Sequence, residues 1–189
     1  MQVKSIVQFL AKVFAVLVAI VGLLLYKFNK PASSYPLVAV MGGTGLQGGG
    51  VIDVLLSQRR FRVRTMTRNI ASKEALKLKE RGVEVIQGST QSKLDLLRLF
   101  QGATYAFTLT FSDFEMGREM ESGVNLAKAI AKSYSVTHVV FSGGKRTGID
   151  VLDTKANIEQ EMRRIWATSK HAKRHLKWVL FLHSSFFYE

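Results

Sequence analysis

The chain has 189 residues, enough for one domain of ordinary size with a substantial hydrophobic core. Hydrophobic residues make up 47% of the chain and charged residues 22%, which excludes an intrinsically disordered protein. Lys and Arg total 27 against 14 Asp and Glu, a net charge of +13 that favours anionic partners such as nucleotide phosphates, acidic lipid or nucleic acid. Cysteine is absent, which excludes disulfides and thiolate nucleophiles. The four His residues lack metal-ligand spacing, so no metal site is predicted.

The N-terminal segment is almost entirely apolar. Within residues 6–26, Gln8 and Lys12 are the only strongly polar residues. A membrane-spanning helix needs about 20 mostly apolar residues, and this segment reaches that length because Lys12 can extend its ammonium towards the near interface. The sequence therefore predicts a transmembrane anchor over residues 1–28 that contacts membrane lipid through residues 6–26. A cleaved signal peptide and a buried helix are the alternatives.

A short polar linker, residues 29–36, follows the apolar segment and contains both prolines of the chain. The expected localisation is a single-pass membrane protein with its globular domain, residues 37–189, in the cytoplasm. Cations flank the apolar segment on both sides, so the distribution of Lys and Arg does not by itself fix the orientation.

Short apolar runs alternate with helical patterns from residue 37 onwards. Six runs have the length and composition of strands: Leu37–Met41, Arg62–Thr67, Val83–Gln87, Tyr105–Thr110, His138–Ser142 and Trp178–His183. Apolar residues at helical spacing lie between them and are assigned to the core: Val51, Val54, Leu55, Leu94, Leu97, Phe100, Met116, Met120, Val124, Ala127, Ile130, Ile158, Met162 and Ile165. This alternation predicts an α/β fold, a doubly wound parallel Rossmann sheet preceded by the N-terminal transmembrane helix.

The segment VAVMGGTGLQGGGV, residues 38–51, places six glycines between the first strand and the first helix. Gly43, Gly45 and Gly48 fit the dinucleotide pattern G-x-G-x-x-G, and Gly42, Gly45 and Gly48 fit the more open spacing of some short-chain reductases. Both patterns permit a tight turn, the approach of a pyrophosphate to the backbone, and a helix that starts close to the strand. The position between strand and helix predicts a nucleotide site. A tight turn beside an empty cleft is the alternative.

The second strand predicts which dinucleotide binds. An NAD site places Asp or Glu about 20 residues after the glycine loop, against the ribose 2′-hydroxyl. Here Arg68 and Asn69 follow the strand, and no carboxylate occurs until Glu74. A guanidinium can bind a 2′-phosphate through two hydrogen bonds, whereas a carboxylate would repel it. NADP is therefore the predicted cofactor, and an exposed arginine at a strand end is the alternative role of Arg68.

Six segments of residues 37–189 resemble, in order, those of the NmrA-like family. They are GGTGLQGG, RVRTMTRN, GVEVIQGS, GATYAFTLT, HVVFSGG and FFYE. The resemblance implies a Rossmann domain that binds NADP(H). It also implies two possible functions for such a domain. Several members are redox-sensing regulators that bind partner proteins, whereas the related isoflavone reductases are NADPH-dependent enzymes.

The resemblance further implies which residues contact the cofactor. They are Gly42, Gly43, Thr44, Gly45, Leu46 and Gln47 at the pyrophosphate, with Gly48 completing the glycine pattern; Arg68, Asn69 and Ser72 at the adenosine phosphate; Thr110 and Lys155 near the nicotinamide and its ribose; and Phe187 in the last cofactor-contacting turn. A solvated lysine in the first turn of a helix is the alternative role of Lys155.

Departures from the family pattern concern the second reactant. Short-chain reductases pair a Tyr with a Lys four residues later as an acid–base couple, but Val151 stands at that place before Lys155. Ser89 stands where the family has an acidic residue. Family members also continue into a substrate-side lobe, so the chain is expected to be C-terminally truncated and to lack a complete substrate pocket. No catalytic residue is predicted.

The favoured function is that of a membrane-tethered, NADP(H)-binding, redox-responsive protein with a regulatory protein partner. The alternative is an NADPH-dependent oxidoreductase, similar to isoflavone reductases, that needs the missing lobe or a partner subunit. Nucleic acid is not expected as a partner, since the positive residues are dispersed and no stacking aromatic residues interleave them.

Overall fold

The computed structural model describes residues 35–111 and 116–183, which contain six strands and six helices. The strands are β1 (Leu37–Val40), β2 (Arg62–Thr67), β3 (Glu84–Gln87), β4 (Tyr105–Leu109), β5 (His138–Gly143) and β6 (Trp178–His183). The helices are α1 (Leu46–Ser57), α2 (Lys73–Glu80), α3 (Lys93–Phe100), α4 (Met116–Lys132), α5 (Asp150–Thr168) and α6 (Lys170–His175). The six predicted strands are confirmed to within one residue at each end.

The strands form one parallel sheet in the order β3-β2-β1-β4-β5-β6. The chain starts at the centre, winds to one edge through β2 and β3, and returns to β4 to wind towards the other edge. The prediction of a doubly wound parallel sheet is therefore confirmed. This order leaves a crevice at the carboxyl ends of β1 and β4, which is where open α/β sheets bind ligands.

Central strand β1 is buried along its whole length. Its residues, Leu37–Val40, are apolar and at most 5% exposed, because both neighbouring strands and both helical layers cover them. A strand that is buried on both faces has a continuous run of apolar residues in its sequence, which explains why β1 could be predicted.

Helices α4 and α5 pack closely through a glycine. A Cβ atom added at Gly123 of α4 would lie 2.5 to 3.0 Å from side-chain carbons of Ile158 on α5. Both residues are buried, so the two helix axes can approach this closely only because position 123 lacks a side chain. Since α4 follows β4 and α5 follows β5, both helices start on the side of the sheet where the strands have their carboxyl ends, which is the side that holds the crevice.

Two positions predicted as core are exposed: Val54 is 63% exposed and Leu94 is 73% exposed. The buried residues of α1 are Gly48 and Ile52, and Val54 follows Ile52 by two positions, which places it on the other side of the helix. Leu94 precedes the buried Leu96 of α3 by two positions for the same geometric reason.

The predicted anchor, residues 1–28 with its membrane-spanning stretch 6–26, lies outside the described residues, as does most of the linker. In the part of the chain that is described, no helix is both long and apolar enough to cross a membrane. The longest of the described helices, α5, has 19 residues but includes charged residues such as Arg163 and Arg164. This finding corrects the prediction of a single-pass membrane localisation.

Candidate cofactor site

A cavity of about 440 Å³ lies at the carboxyl ends of β1, β2, β3 and β4. Its walls come from the last residues of β2 and β4, from the segments that follow all four strands, and from the first two turns of α4. The lining residues are Met41, Gly42, Thr44, Met66, Thr67, Arg68, Gly88, Ser89, Thr90, Gln91, Leu109, Thr110, Phe111, Arg118, Glu119 and Ser122. The cavity therefore lies where the strand order reverses, at the crevice expected for a Rossmann sheet.

Three glycines let the loop after β1 fold tightly beneath the cavity. Gly42 has a φ of +67°, in the left-handed region that favours glycine. Gly43 is buried, and a Cβ there would lie 2.7 Å from Ile52 Cδ1. A Cβ at Gly48 would lie 2.5 Å from the carbonyl oxygen of Met41. Helix α1 can therefore start directly against the loop, as the glycine pattern predicts.

Helix α1 begins without a side-chain cap. Its N-cap residue, Gly45, has an extended backbone and no side chain, and no acidic residue lies in the first turn. By contrast, the hydroxyl groups of Ser72 and Ser92 accept backbone N–H groups at the starts of α2 and α3. No side chain therefore competes with an anion for the positive end of the α1 dipole.

The segment after β2 brings one of three predicted adenosine-phosphate residues to the cavity. Arg68 lines the cavity and is exposed. Asn69 Oδ1 instead accepts the N–H of Ala71 at 3.0 Å, and Ser72 Oγ accepts the N–H of Ala75 at 3.2 Å. Asn69 and Ser72 are not among the lining residues, and their side chains shape the turn that leads from β2 into α2.

The loop after β3 forms a polar wall that sequence reasoning did not predict as part of the site. Asp95 of α3 supports this wall, because its Oδ2 accepts the N–H of Ser89 at 3.1 Å. That N–H lowers the pKa of Asp95 below its ordinary value; desolvation opposes the shift, and Ser92 and Arg98 reinforce it. The ionised Asp95 thus holds the Ser89 backbone at the cavity rim.

Lys155, Thr110 and Glu119 form a cluster at the end of β4. Lys155 Nζ donates to the carbonyl oxygen of Thr110 at 2.6 Å, to Thr110 Oγ1 at 3.2 Å and to Glu119 Oε1 at 2.7 Å. Thr110 Oγ1 donates to the same carboxylate oxygen at 2.7 Å. The side chain of Glu119 is 3% exposed and that of Lys155 is 25% exposed. The structure thus brings two predicted residues together, around a carboxylate that was not predicted.

Among the described residues, Leu46 and Gln47 were predicted as cofactor contacts but do not line the cavity. Leu46 is 91% exposed in the first turn of α1. Gln47 Oε1 accepts the hydroxyl of Ser142 at 3.3 Å, which connects the start of α1 to the end of β5. Phe187 lies outside the described residues. Arg118 and Ser122 line the cavity from α4, and no motif in the sequence indicated either of them.

Asp95→Asn should reduce stability most near neutral pH. The folded-state pKa of Asp95 is lowered, so its ionised form contributes stability above the ordinary pKa of an aspartate, and this contribution disappears as pH falls through the lowered value. We expect the difference in melting temperature between wild type and variant to shrink between about pH 7 and about pH 3. Asp53→Asn, at an exposed surface ion pair with Arg81, is the control and should change the melting temperature less. A difference for Asp95→Asn that is independent of pH would contradict this role.

The NmrA-like family pattern matches residues 35–172 of this chain. An NmrA-like family domain-containing oxidoreductase of Aspergillus campestris is 37% identical over 123 residues, which cover 62% of this chain and 36% of the relative. A similar protein of Dictyostelium discoideum, named for the same domain, is 34% identical over 138 residues, 68% of this chain and 45% of the relative. The chain thus spans less than half the length of these relatives.

Solved structures share the fold. The triphenylmethane reductase of Citrobacter sp., in complex with NADP(H), superposes with a TM-score of 0.64 at 20% identity, over 79% of this chain and 49% of that chain. Because the family pattern covers 138 of the 189 residues, the resemblance seen in the sequence is confirmed, and the chain belongs to the NmrA-like family.

Proposed function

We propose that this chain binds NADP(H) in the cavity at the carboxyl ends of β1 to β4. The observation that carries the proposal is the uncapped start of α1 against the glycine loop, beside a cavity with Arg68 on its rim. Backbone N–H groups at a helix start favour a pyrophosphate, and a guanidinium suits the 2′-phosphate that distinguishes NADP from NAD. The NADP bound in the Citrobacter reductase structure supports the same choice of cofactor.

The residues of the loop fit such a ligand. At Gly42, Gly43 and Gly48 the space next to the backbone is filled by the protein itself. At Gly45, in contrast, an added Cβ would meet nothing closer than the Gly42 carbonyl oxygen at 3.4 Å. Space is therefore open beside the N-cap of α1, where a phosphate would approach. The cavity volume also falls within the range of small-molecule sites, roughly 300–1,000 Å³.

Each part of the site would hold a different part of the dinucleotide. Residues 42–48 would hold the pyrophosphate, and Arg68 would hold the 2′-phosphate while Asn69 and Ser72 fix the turn behind it. Thr110 would lie on the nicotinamide side. Bound NADP(H) supplies hydride-transfer chemistry. The contact predicted for Phe187 remains a prediction.

Two uses of the bound dinucleotide follow from different observations. The names of several curated relatives, which call them oxidoreductases, favour an NADPH-dependent reductase. The residues of this chain favour binding without turnover, because Val151 stands where short-chain reductases have their proton-donating Tyr and because Lys155 is engaged with Thr110 and Glu119. We therefore propose redox-responsive binding that regulates a protein partner, with NADPH-dependent reduction as the second candidate.

Arg68→Ala should remove the preference for NADPH over NADH. The loss of a charge-assisted hydrogen bond costs about 1.5–3 kcal/mol, so the Kd for NADPH should rise by roughly 10-fold or more while the Kd for NADH changes little. Fluorescence titration of both cofactors measures the two constants. Arg62→Ala is the matched control, because Arg62 is exposed at the opposite end of the same strand. Equal affinity of the wild-type chain for NADPH and NADH would contradict the assignment.

NADPH should raise the melting temperature of the chain without being consumed. At a concentration 100 times its Kd, a ligand stabilises the folded state by about 2.7 kcal/mol. We expect no NADPH oxidation above background with a panel of aldehydes, ketones and quinones, followed by absorbance. Steady oxidation with any member of the panel would favour the reductase over the regulatory use.

A further inference from the structure

Lys155 is not among the described residues that line the cavity. A lysine ammonium has three N–H donors. Here three acceptors take them: the carbonyl oxygen and hydroxyl of Thr110, and the carboxylate of Glu119. The ammonium therefore has no donor left for a ligand while this cluster is intact.

We propose that Glu119 and Lys155 form a buried clasp that positions the cavity wall formed by Phe111 and Arg118, and that Lys155 affects dinucleotide binding through this clasp rather than by contact. The inference rests on the proposed binding of NADP(H). It assigns Glu119 as a positioning residue and changes the expected role of Lys155 from a cofactor contact to the counter-ion of a buried carboxylate.

The clasp joins the two ends of the β4–α4 connection. Thr110 directly follows β4, and Glu119 lies in the first turn of α4. The neighbouring residues, Phe111 and Arg118, both line the cavity. Lys155 reaches both ends from α5, so one ammonium fixes the segments that carry these two wall residues.

Phe111 connects this wall to the glycine loop. Its Cζ atom would lie 3.6 Å from a Cβ added at Gly42, so the ring packs over the loop at the left-handed glycine. A shift of the wall would therefore change the space above the loop in which the pyrophosphate is proposed to bind.

The packing of α4 on α5 brings Glu119 and Lys155, the two residues of the clasp, within reach of each other. Gly123 lies four residues after Glu119, and Ile158 lies three residues after Lys155, so each pair shares one face of its helix. The close contact between Gly123 and Ile158 thus brings together the two faces that carry the ion pair.

The charge of the clasp also suits an anion site. Glu119 lines the cavity and is buried, and an unpaired carboxylate there would repel the phosphates of a dinucleotide. Lys155 neutralises this charge at 2.7 Å. Loss of Lys155 alone should therefore loosen the wall and leave a repulsive charge, whereas loss of both charges should leave only a weakened wall contact.

A double-mutant cycle tests the proposal with wild type, Lys155→Met, Glu119→Gln and the double variant. Melting temperature is measured without ligand, and the Kd for NADPH is measured by fluorescence titration. Lys128→Met is the control for removal of a positive charge, since Lys128 is exposed on α4. Lys155→Met should lower the melting temperature by roughly 6 °C or more and weaken NADPH binding about 10-fold or more.

The clasp predicts that the double variant recovers most of the melting temperature and binds NADPH within about 3-fold of wild type. A direct contact between Lys155 and the cofactor predicts instead that the double variant binds as weakly as Lys155→Met, which would overturn the proposal. If Lys155→Met does not fold, the comparison of the double variant with wild type still decides between these outcomes.

The cycle also separates this inference from the proposed function. If the wild-type chain does not bind NADPH, the proposed function is wrong. The melting temperatures alone then test whether the Glu119–Lys155 clasp stabilises the fold. Strong non-additivity of the two substitutions supports the ion pair as the element that holds the wall. Additive effects on the melting temperature would overturn it.

Discussion

The site depends first on the close approach of α1 to the loop that follows β1. Gly48 lies against the main chain of Met41 and Gly42 at a distance that admits no Cβ atom. Because β1 is at the centre of the sheet, this contact places the start of α1 beside the crevice between β1 and β4. A bulkier residue would move the helix start and, with it, the N–H groups that are proposed to hold the pyrophosphate.

A second constraint is electrostatic. A dinucleotide brings several negative charges, so carboxylates near its site must be kept from repelling it. Two carboxylates support the described cavity, and each is held by donors: Asp95 by the N–H of Ser89, and Glu119 by Lys155 and Thr110. With Arg68 on the rim and no acidic residue in the first turn of α1, the surroundings of the cavity are suited to an anion.

The parts of the fold that could be predicted are those that depend on residues close together in the sequence. Buried strands such as β1 read as apolar runs, and the glycine loop and Arg68 follow strands directly. The Glu119–Lys155 pair could not be predicted, because its partners lie 36 positions apart and meet only through the packing of α4 on α5. The contacts of Asn69 and Ser72 with the cofactor stay predictions; in the structure their side-chain oxygens accept nearby backbone N–H groups and shape the turn after β2.

The most direct measurement of the central claim is a NADPH titration of Gly48→Ala and Gly50→Ala. Both residues lie in α1, but a Cβ at Gly50 would meet nothing within 4 Å. Gly50→Ala should bind NADPH as wild type does and gain about 0.5–1 kcal/mol of stability, because alanine suits a helix interior better than glycine. Gly48→Ala should weaken NADPH binding about 10-fold or more, through the loss of aligned N–H donors. Binding of NADPH by Gly48→Ala with wild-type affinity would contradict the account.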